Sequence, residues 1–214
     1  MCVQSHSKGF TAWLSRKFYP WMLQHNTLYE EFMGQRKQKL FKNLSGVVIE
    51  IGAGTGANFP YFEDEIEYVG IEPHEQIREV LKSEVSKRHF KSAKILNASA
   101  EYIPLEDNTA DVVISTLVLC SVPNVNATLK EIHRILKTGG RLIFVEHIAA
   151  HEDTFLLKMQ KFVKPVWRKL IDNCHPDRRT DIALKSAGFK SVNFEEFTVP
   201  IPVVSPHIAG IAVK

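Results

Sequence analysis

A glycine-rich turn is the first feature of this sequence with chemical consequences. The stretch IEIGAGTGANF ends an apolar run and places Gly52, Gly54 and Gly56 at alternate positions. Residues without a Cβ let a polar ligand approach backbone N–H groups and the start of a following helix. The same letters also satisfy the looser dinucleotide fingerprint, so the turn predicts a nucleotide-like ligand without identifying it.

A carboxylate follows at the end of the next predicted strand. Glu72 ends the run YVGIE, twenty residues beyond Gly52. A carboxylate at this place can accept hydrogen bonds from both hydroxyl groups of an adenosine ribose. Glu72 therefore predicts a ligand that contains adenosine ribose, with a solvated strand-end carboxylate as the structural alternative.

Three further residues could act on a substrate. Cys120 ends the apolar run DVVISTLVLC, His147 ends RLIFVEH, and His207 lies near the end of the sequence. Ligands of open α/β sheets bind beyond the carboxyl ends of the strands, so we expect the reacting group near residues 116–121. Either histidine could take a proton or be structural, and Cys120 is expected mainly to line the pocket.

Spacing in the sequence does not predict a metal site. Cys2, Cys120 and Cys174 are odd in number, far apart and without a CxxC pair. Neither a disulfide framework nor a zinc site is expected from such a pattern, and the cysteine content fits a reducing compartment. The histidines show no metal-ligand spacing either, so we expect no bound metal.

The pattern after Val47 predicts the elements that must position these residues. Short apolar runs alternate with helix-length amphipathic segments, which is typical of a parallel, doubly wound α/β sheet. Helices are predicted over 74–89 and 124–140, the second with the pair Gly139 and Gly140 as its C-cap. Two β-rich stretches in the tail are expected to add antiparallel edge strands.

Apolar segments flank this core on both sides. Residues 148–176 carry an apolar helical stripe, which predicts either a core-facing helix pair or a lid over the substrate. Residues 1–45 have helix-like apolar spacing and are expected to cap the site or lie on a membrane surface. The core domain is then expected over residues 46–214.

Composition excludes several classes of protein. The 214 residues are 44% hydrophobic and 24% charged, which fits one soluble globular domain. The net charge of +3 is spread along the chain, so we expect no nucleic-acid partner. The cluster of Arg36, Lys37, Lys39 and Lys42 is interpreted as a solvated helix face. No 18-residue apolar run or secretory signal is present, so we expect a cytoplasmic protein without a membrane span.

The ordered motifs resemble those of the class I S-adenosylmethionine-dependent methyltransferases. VIEIGAGTG resembles their first motif, SAEYIPLEDNTADVV their adenine-side segment, and ILKTGGRLIF their LKPGG turn, with Thr138 in place of the proline. The resemblance implies a Rossmann-like fold with a mostly parallel seven-stranded sheet, helices on both faces and an antiparallel C-terminal strand. It also implies S-adenosylmethionine as cofactor. The expected cofactor-binding residues are Glu50, Gly52, Ala53, Gly54, Gly56, Asn58, Glu72, Pro73, Ala100, Glu101, Thr116 and Leu117.

A narrower resemblance is carried by TLVLCSV, EHIAA and PHIAGIAVK, which are similar to segments of the methyltransferase-like seven family of thiol S-methyltransferases. It implies direct in-line methylation of small lipophilic thiols, with His147, His207 and Cys120 on the substrate side. The alternatives are N-, O- or C-methylation of a small metabolite or lipid-like acceptor, and a noncatalytic cofactor-binding scaffold. Members of that family carry a long hydrophobic N-terminal anchor, whereas the head of this sequence is shorter and amphipathic. The head is expected either to contact endoplasmic reticulum or lipid droplet membranes peripherally or to pack on its own domain.

Overall fold

The structure is a computed structural model, and it describes residues 27–214. This part of the chain contains five α-helices and seven β-strands. Predictions for the head before residue 27 lie outside these residues. The helices are α1 (Thr27–Leu40), α2 (Glu75–Val85), α3 (Val125–Ile135), α4 (Phe155–Leu170) and α5 (Thr180–Lys185). The strands are β1 (Gly46–Ile51), β2 (Ile66–Ile71), β3 (Ser92–Leu96), β4 (Ala110–Thr116), β5 (Leu136–His147), β6 (Ser191–Thr198) and β7 (Pro206–Val213).

The strands form one sheet in the order β3-β2-β1-β4-β5-β7-β6. Strands β1 to β5 are parallel, and β7 runs antiparallel to both β5 and β6. This arrangement confirms the predicted class I methyltransferase fold. The strand order reverses between β1 and β4, and ligands of such sheets bind beyond the carboxyl ends of the strands at that point.

Burial explains why these segments form strands and helices. Val48, Ile49 and Ile51 of β1 are fully buried, and successive residues alternate between two apolar clusters on the two faces of the sheet. A parallel sheet covered on both faces needs such continuous apolar runs. The covering helices each bury one stripe, for example Ile77 and Leu81 of α2.

The prediction that the glycine pair caps the second covering helix is wrong. Helix α3 ends at Ile135, and Gly139 and Gly140 lie inside strand β5. Gly139 has φ 79°, and it lies where the pairing of β5 with β4 shifts register. The pair therefore allows a bulge at the start of the strand, which only a residue tolerant of positive φ accommodates easily.

The tail adds two antiparallel strands beyond the parallel core, as predicted, but only one of them is an edge strand. Strand β6 is an edge, but β7 lies inside the sheet between β5 and β6. Gly210 makes this fit possible, because a Cβ there would collide with the carbonyl oxygen of Asn193 and with Phe194 on β6. The pairing also sets His207 directly opposite His147.

The segment after β5 forms one long helix, and its apolar stripe is only partly buried. Phe155 and Phe162 of α4 are 81% and 84% exposed, whereas Gln160 is the buried residue of the helix. The Gln160 amide accepts from the N–H of Ala150 at 2.8 Å and donates to the carbonyl of Val203 at 2.7 Å. A polar anchor therefore fixes α4, and the expected core-facing helix pair is wrong.

No helix among residues 27–214 combines the length and the apolar character that crossing a membrane requires.

Candidate active site

A cavity of 1090 Å³ opens at the carboxyl ends of β1 and β4. All twelve residues predicted for the cofactor line it. Of the three residues predicted on the substrate side, Cys120 and His147 line the cavity and His207 does not. The sheet thus brings the two predicted halves of the site together in one space.

In the turn after β1, each of the three glycines is needed for its own structural reason. All three have positive φ: 55° at Gly52, 57° at Gly54 and 84° at Gly56. A Cβ at Gly52 would collide with Val118, and one at Gly56 with the ring of Phe59. At Gly54 the nearest atom to such a Cβ is the carbonyl oxygen of Gly52 at 3.8 Å, so the space there is open. Gly54 therefore leaves room for a ligand, whereas the other two allow packing.

Glu72 at the end of β2 is buried and held in place by the backbone. Its Oε2 accepts from the N–H of Gly54 at 3.1 Å, and its Oε1 accepts from the N–H of His74 at 2.9 Å. Burial raises the pKa of Glu72, and these two hydrogen bonds act in the opposite direction. Each oxygen keeps a second lone pair, so the carboxylate can still accept from two neighbouring hydroxyl groups.

A second polar group lies on the other side of the turn. The Asn58 amide donates to Glu50 Oε1 at 2.6 Å and to Thr116 Oγ1 at 3.1 Å, and the Tyr68 hydroxyl donates to Glu50 Oε2 at 2.6 Å. Burial raises the pKa of Glu50 to about 7. Asn58 Oδ1 is buried and has no partner among the described residues. This end of the cavity thus offers oxygen acceptors suited to an ammonium group.

Glu101 supports the loop at the adenine side. It accepts hydrogen bonds from the hydroxyl of Ser99 and, at 2.8 Å, from the N–H of Asn124, which is the N-cap of α3. Ala100 lies between these contacts and is buried. The loop is therefore fixed relative to α3, at a place where Ala100 lines the cavity.

Two cysteines and one histidine meet at the opposite end of the cavity. The Sγ atoms of Cys120 and Cys174 and a ring nitrogen of His147 all lie within 4.8 Å of one another, and all three residues are buried. His147 Nε2 is 3.0 Å from Cys174 Sγ, and the Trp167 indole donates to the same sulfur at 3.3 Å. We call Cys120, His147 and Cys174 the thiol–imidazole cluster.

The cluster perturbs the ionisation of its own members. The contact with Cys120 lowers the pKa of Cys174, and the hydrogen bond from Trp167 adds to that effect. The contact with Cys174 raises the pKa of Cys120, and burial raises it further. Burial alone would lower the pKa of His147, but Cys120 and Glu146 raise it. The Trp167 indole donates to Cys174 Sγ, and this contact favours a negative charge on that sulfur.

Backbone contacts explain why residues distant in sequence meet here. Glu146 Oε1 accepts from the N–H groups of Val118 and Leu119 at 2.9 and 3.0 Å, which fixes the turn that carries Cys120. The N–H of His175 donates to the carbonyl of Cys120 at 2.9 Å. Arg178 donates to the carbonyls of Leu119 and Val122 at 2.7 Å each. The loop after α4 is thus attached to the turn after β4.

Helix α1 closes another side of the cavity. The position of one lysine on this helix shows that a prediction was wrong. Lys37 was expected on a solvated face, but its side chain is 2% exposed and forms an ion pair with Glu30. The Tyr61 hydroxyl donates to the same carboxylate at 2.8 Å. Lys39 and Lys42 are exposed as expected.

His207 lies behind the cavity wall, next to His147. The ring centroids of the two histidines are 6.1 Å apart. His207 Nδ1 donates to the carbonyl of Ser205 at 3.0 Å, and burial lowers the pKa of His207 to about 4. His207 is therefore neutral at physiological pH, and a part in proton transfer stays a prediction.

Comparisons with known proteins agree with this geometry. Residues 49–144 match the family described as "Methyltransferase domain". Human "Thiol S-methyltransferase TMT1A" is 35% identical over 219 residues, which cover 96% of this chain and 90% of that protein. The chain belongs to this methyltransferase family. Human "Thiol S-methyltransferase TMT1B" is 31% identical, covering 94% of the chain and 88% of that protein.

A solved structure supports the fold of the methyltransferase. The YcgJ protein of Bacillus subtilis superposes with a TM-score of 0.63 at 14% identity, covering 86% of this chain and 96% of that one. The methyl donor of the methyltransferase is S-adenosylmethionine. The residues present fit this cofactor, since Glu72 has free acceptor capacity, Gly54 leaves open space and Asn58 Oδ1 is an unused buried acceptor.

Sequence reasoning missed several residues of the methyltransferase cavity. Cys174, Trp167, Tyr29 and Lys37 all line it. Trp167 stood out only as part of an apolar stripe, and Cys174 carried no spacing signal. The long-range contacts of the loop after α4 place both residues, and no local pattern encodes such contacts.

Proposed function

We propose that this methyltransferase transfers the methyl group to the sulfur of a small lipophilic thiol. The observation that carries the proposal is the substrate end of the cavity, where the thiol–imidazole cluster lies beside Trp167. Sulfur and aromatic groups are polarisable and suit a soft, apolar acceptor. The names of the two human relatives as thiol S-methyltransferases support the same acceptor class.

The cofactor end of the cavity would bind and orient the donor. When bound, S-adenosylmethionine supplies a methyl group on a positively charged sulfur that is open to in-line displacement. Glu72 would accept hydrogen bonds from the ribose, and Asn58 with Glu50 would receive the ammonium group. Fixing two reactants in line can contribute several kcal/mol to lowering the barrier, so orientation is the main task of these residues.

The substrate end would exclude water and accept the proton of the thiol. Tyr29 of α1 and Trp167 of α4 both line the cavity, so two helices contribute to its wall. A small thiol has a pKa of about 8.5, so a few per cent is ionised at neutral pH without help. His147 is the ring that reaches the cavity, and it would take the remaining proton.

The test is a methyl-transfer assay with matched acceptors. Each small alkyl thiol is paired with the alcohol and the amine of the same carbon skeleton, and the products are identified by mass. We expect methyl thioether and S-adenosylhomocysteine from the thiols alone. Methylation of the amine or alcohol without thiol turnover would remove sulfur as the acceptor and retain the methyltransferase.

A scaffold without catalysis is tested by the same experiment. It predicts calorimetric binding of S-adenosylmethionine with no S-adenosylhomocysteine formed across the acceptor panel. Glu72→Ala serves as the matched variant, since it should lower turnover of every acceptor by weakening donor binding. A thiol-dependent signal that survives in Glu72→Ala at low donor concentration would contradict the role given to Glu72.

A further inference from the structure

The thiol–imidazole cluster has the composition of a metal site. Its three potential ligand atoms lie within 4.8 Å of one another, and Cys120 and Cys174 are free thiols. In a tetrahedral zinc site with Zn–S and Zn–N bonds of about 2.3 and 2.0 Å, ligand atoms are about 3.5 to 3.8 Å apart. The observed separations, 3.0 Å between His147 Nε2 and Cys174 Sγ and up to 4.8 Å overall, bracket this range.

Surrounding contacts hold these residues in place. Cys120 lies on the turn fixed by Glu146, His147 ends strand β5, and the N–H of the residue after Cys174 donates to the carbonyl of Cys120. The ligands therefore come from three elements that are already locked together. Such prearrangement favours metal binding, because little conformational freedom is lost when the ion enters.

The groups around the cluster also suit a metal. The Trp167 indole donates to Cys174 Sγ at 3.3 Å, a hydrogen bond that a metal-bound thiolate can retain. His147 Nδ1 and His207 Nε2 are both buried without a partner among residues 27–214. His207 Nδ1 carries its proton toward Ser205, so its Nε2 is an acceptor. Ligation through Nε2 of His147 would put the ring proton on Nδ1. The centroids of the two rings are 6.1 Å apart, and these two nitrogens are not hydrogen-bonded to each other.

We propose that Cys120, His147 and Cys174 bind a zinc ion whose fourth coordination position opens into the cavity. Two thiolates and one imidazole are ligands that zinc prefers, and three protein ligands with one open position are typical of catalytic zinc. All three residues line the cavity, so the open position faces the substrate space. The absence of a CxxC pair hid this site in the sequence, because each ligand comes from a different element.

The role of the ion rests on the proposed function, although its binding does not. An acceptor thiol would occupy the fourth position as a thiolate. With the ion bound, His147 Nε2 is a ligand and no longer the base, so the thiol proton is taken by the displaced hydroxide, which leaves as water. The sulfur electron pair then forms the bond to the methyl carbon while the carbon–sulfonium bond breaks, and its electron pair leaves with S-adenosylhomocysteine. The methyl thioether product has no charge and binds zinc weakly, so it can leave.

Metal binding is measured on the full chain, reduced and stripped with a chelator. Co²⁺ is titrated as a coloured probe and then displaced with Zn²⁺. We expect one Co²⁺ per chain, with the strong d–d bands of a tetrahedral site and sulfur-to-cobalt charge transfer. Removing a residue that only hydrogen-bonds to a metal ligand lowers metal affinity roughly 10- to 100-fold. Cys120→Ser and Cys174→Ser each remove a ligand itself, so each should weaken Co²⁺ binding by more than this. Cys2→Ser is the matched control and should bind as the wild type does.

The spectrum of the wild type makes the result independent of how the variants fold. Absence of tetrahedral, thiolate-bound Co²⁺ in the wild type overturns the site, and so does an identical spectrum in the Cys120→Ser Cys174→Ser double variant. Undiminished thiol methylation by metal-free protein overturns the catalytic role of the ion. Stoichiometric cobalt binding without methylation of any thiol instead supports the site and contradicts the proposed acceptor.

Discussion

At the scale of single residues, Gly54 is the position where cofactor binding can be separated from folding. Gly54→Val should abolish binding of S-adenosylmethionine, because the side chain would enter the open space beside the turn. Calorimetry measures the affinity. Gly188→Val is the matched control: Gly188 also has positive φ, 81°, and open space around it, but lies away from the cavity. Both variants should lose similar stability, about 1 to 2 kcal/mol. Normal binding by Gly54→Val would place the cofactor elsewhere.

Glu50 predicts a pH dependence of stability. Its pKa is about 7 in the folded protein against an ordinary 4.5, so the folded state holds a proton that the unfolded state has released. The stabilising contribution is present below pH 4.5 and is lost as pH rises through 7, at most roughly 3 kcal/mol. Glu50→Gln should remove this fall in the free energy of unfolding with rising pH, which denaturant unfolding between pH 5 and pH 8 without cofactor measures. The exposed Glu75→Gln is the control, and parallel profiles for wild type and Glu50→Gln would contradict the shift.

At the scale of elements, the loop after α4 matters because it builds the substrate wall. Arg178 ties this loop to the turn after β4 through two carbonyls. Arg178→Met should reduce kcat/KM for the acceptor roughly 10- to 100-fold, since a small displacement of the wall misaligns the reactants. Calorimetric affinity for S-adenosylmethionine should stay close to that of the wild type. Lys169→Met, an exposed change on α4, is the control. An equal loss of donor affinity would show that Arg178 supports the whole site.

The elements also show how far the sequence could predict this structure. Strands β1 to β5 and the glycine turn were predictable, because buried parallel strands are continuous apolar runs and a turn at φ above zero selects glycine. The position of β7 and the burial of Lys37 were not, since they depend on partners distant in sequence. Cys174 is the clearest case: its place beside His147 comes from hydrogen bonds of the loop, and no periodic pattern encodes those.

At the scale of the whole molecule, the cavity is lined by elements from several parts of the fold. Its lining includes α1, the ends of β1, β2 and β4, and the loop after α4. A ligand that contacts several of these elements binds the folded chain and not the unfolded one. Binding must therefore stabilise the entire fold by mass action.

This linkage gives a prediction for thermal unfolding. S-adenosylhomocysteine, which cannot react, contributes about 2.7 kcal/mol at a concentration of 100 times its Kd. For a domain of about this size each kcal/mol raises Tm by roughly 2–4 °C, so we expect an increase of about 5–10 °C by calorimetry or dye-based melting. Glu72→Ala at the same ligand concentration should show a smaller increase, because it loses the ribose acceptor. NADH is the ligand control, since it also carries adenosine ribose but has no methionine part for Asn58 and Glu50. An equal shift with NADH would mean that the glycine turn and Glu72 alone determine binding, and that the polar end formed by Asn58 and Glu50 contributes nothing to cofactor selection.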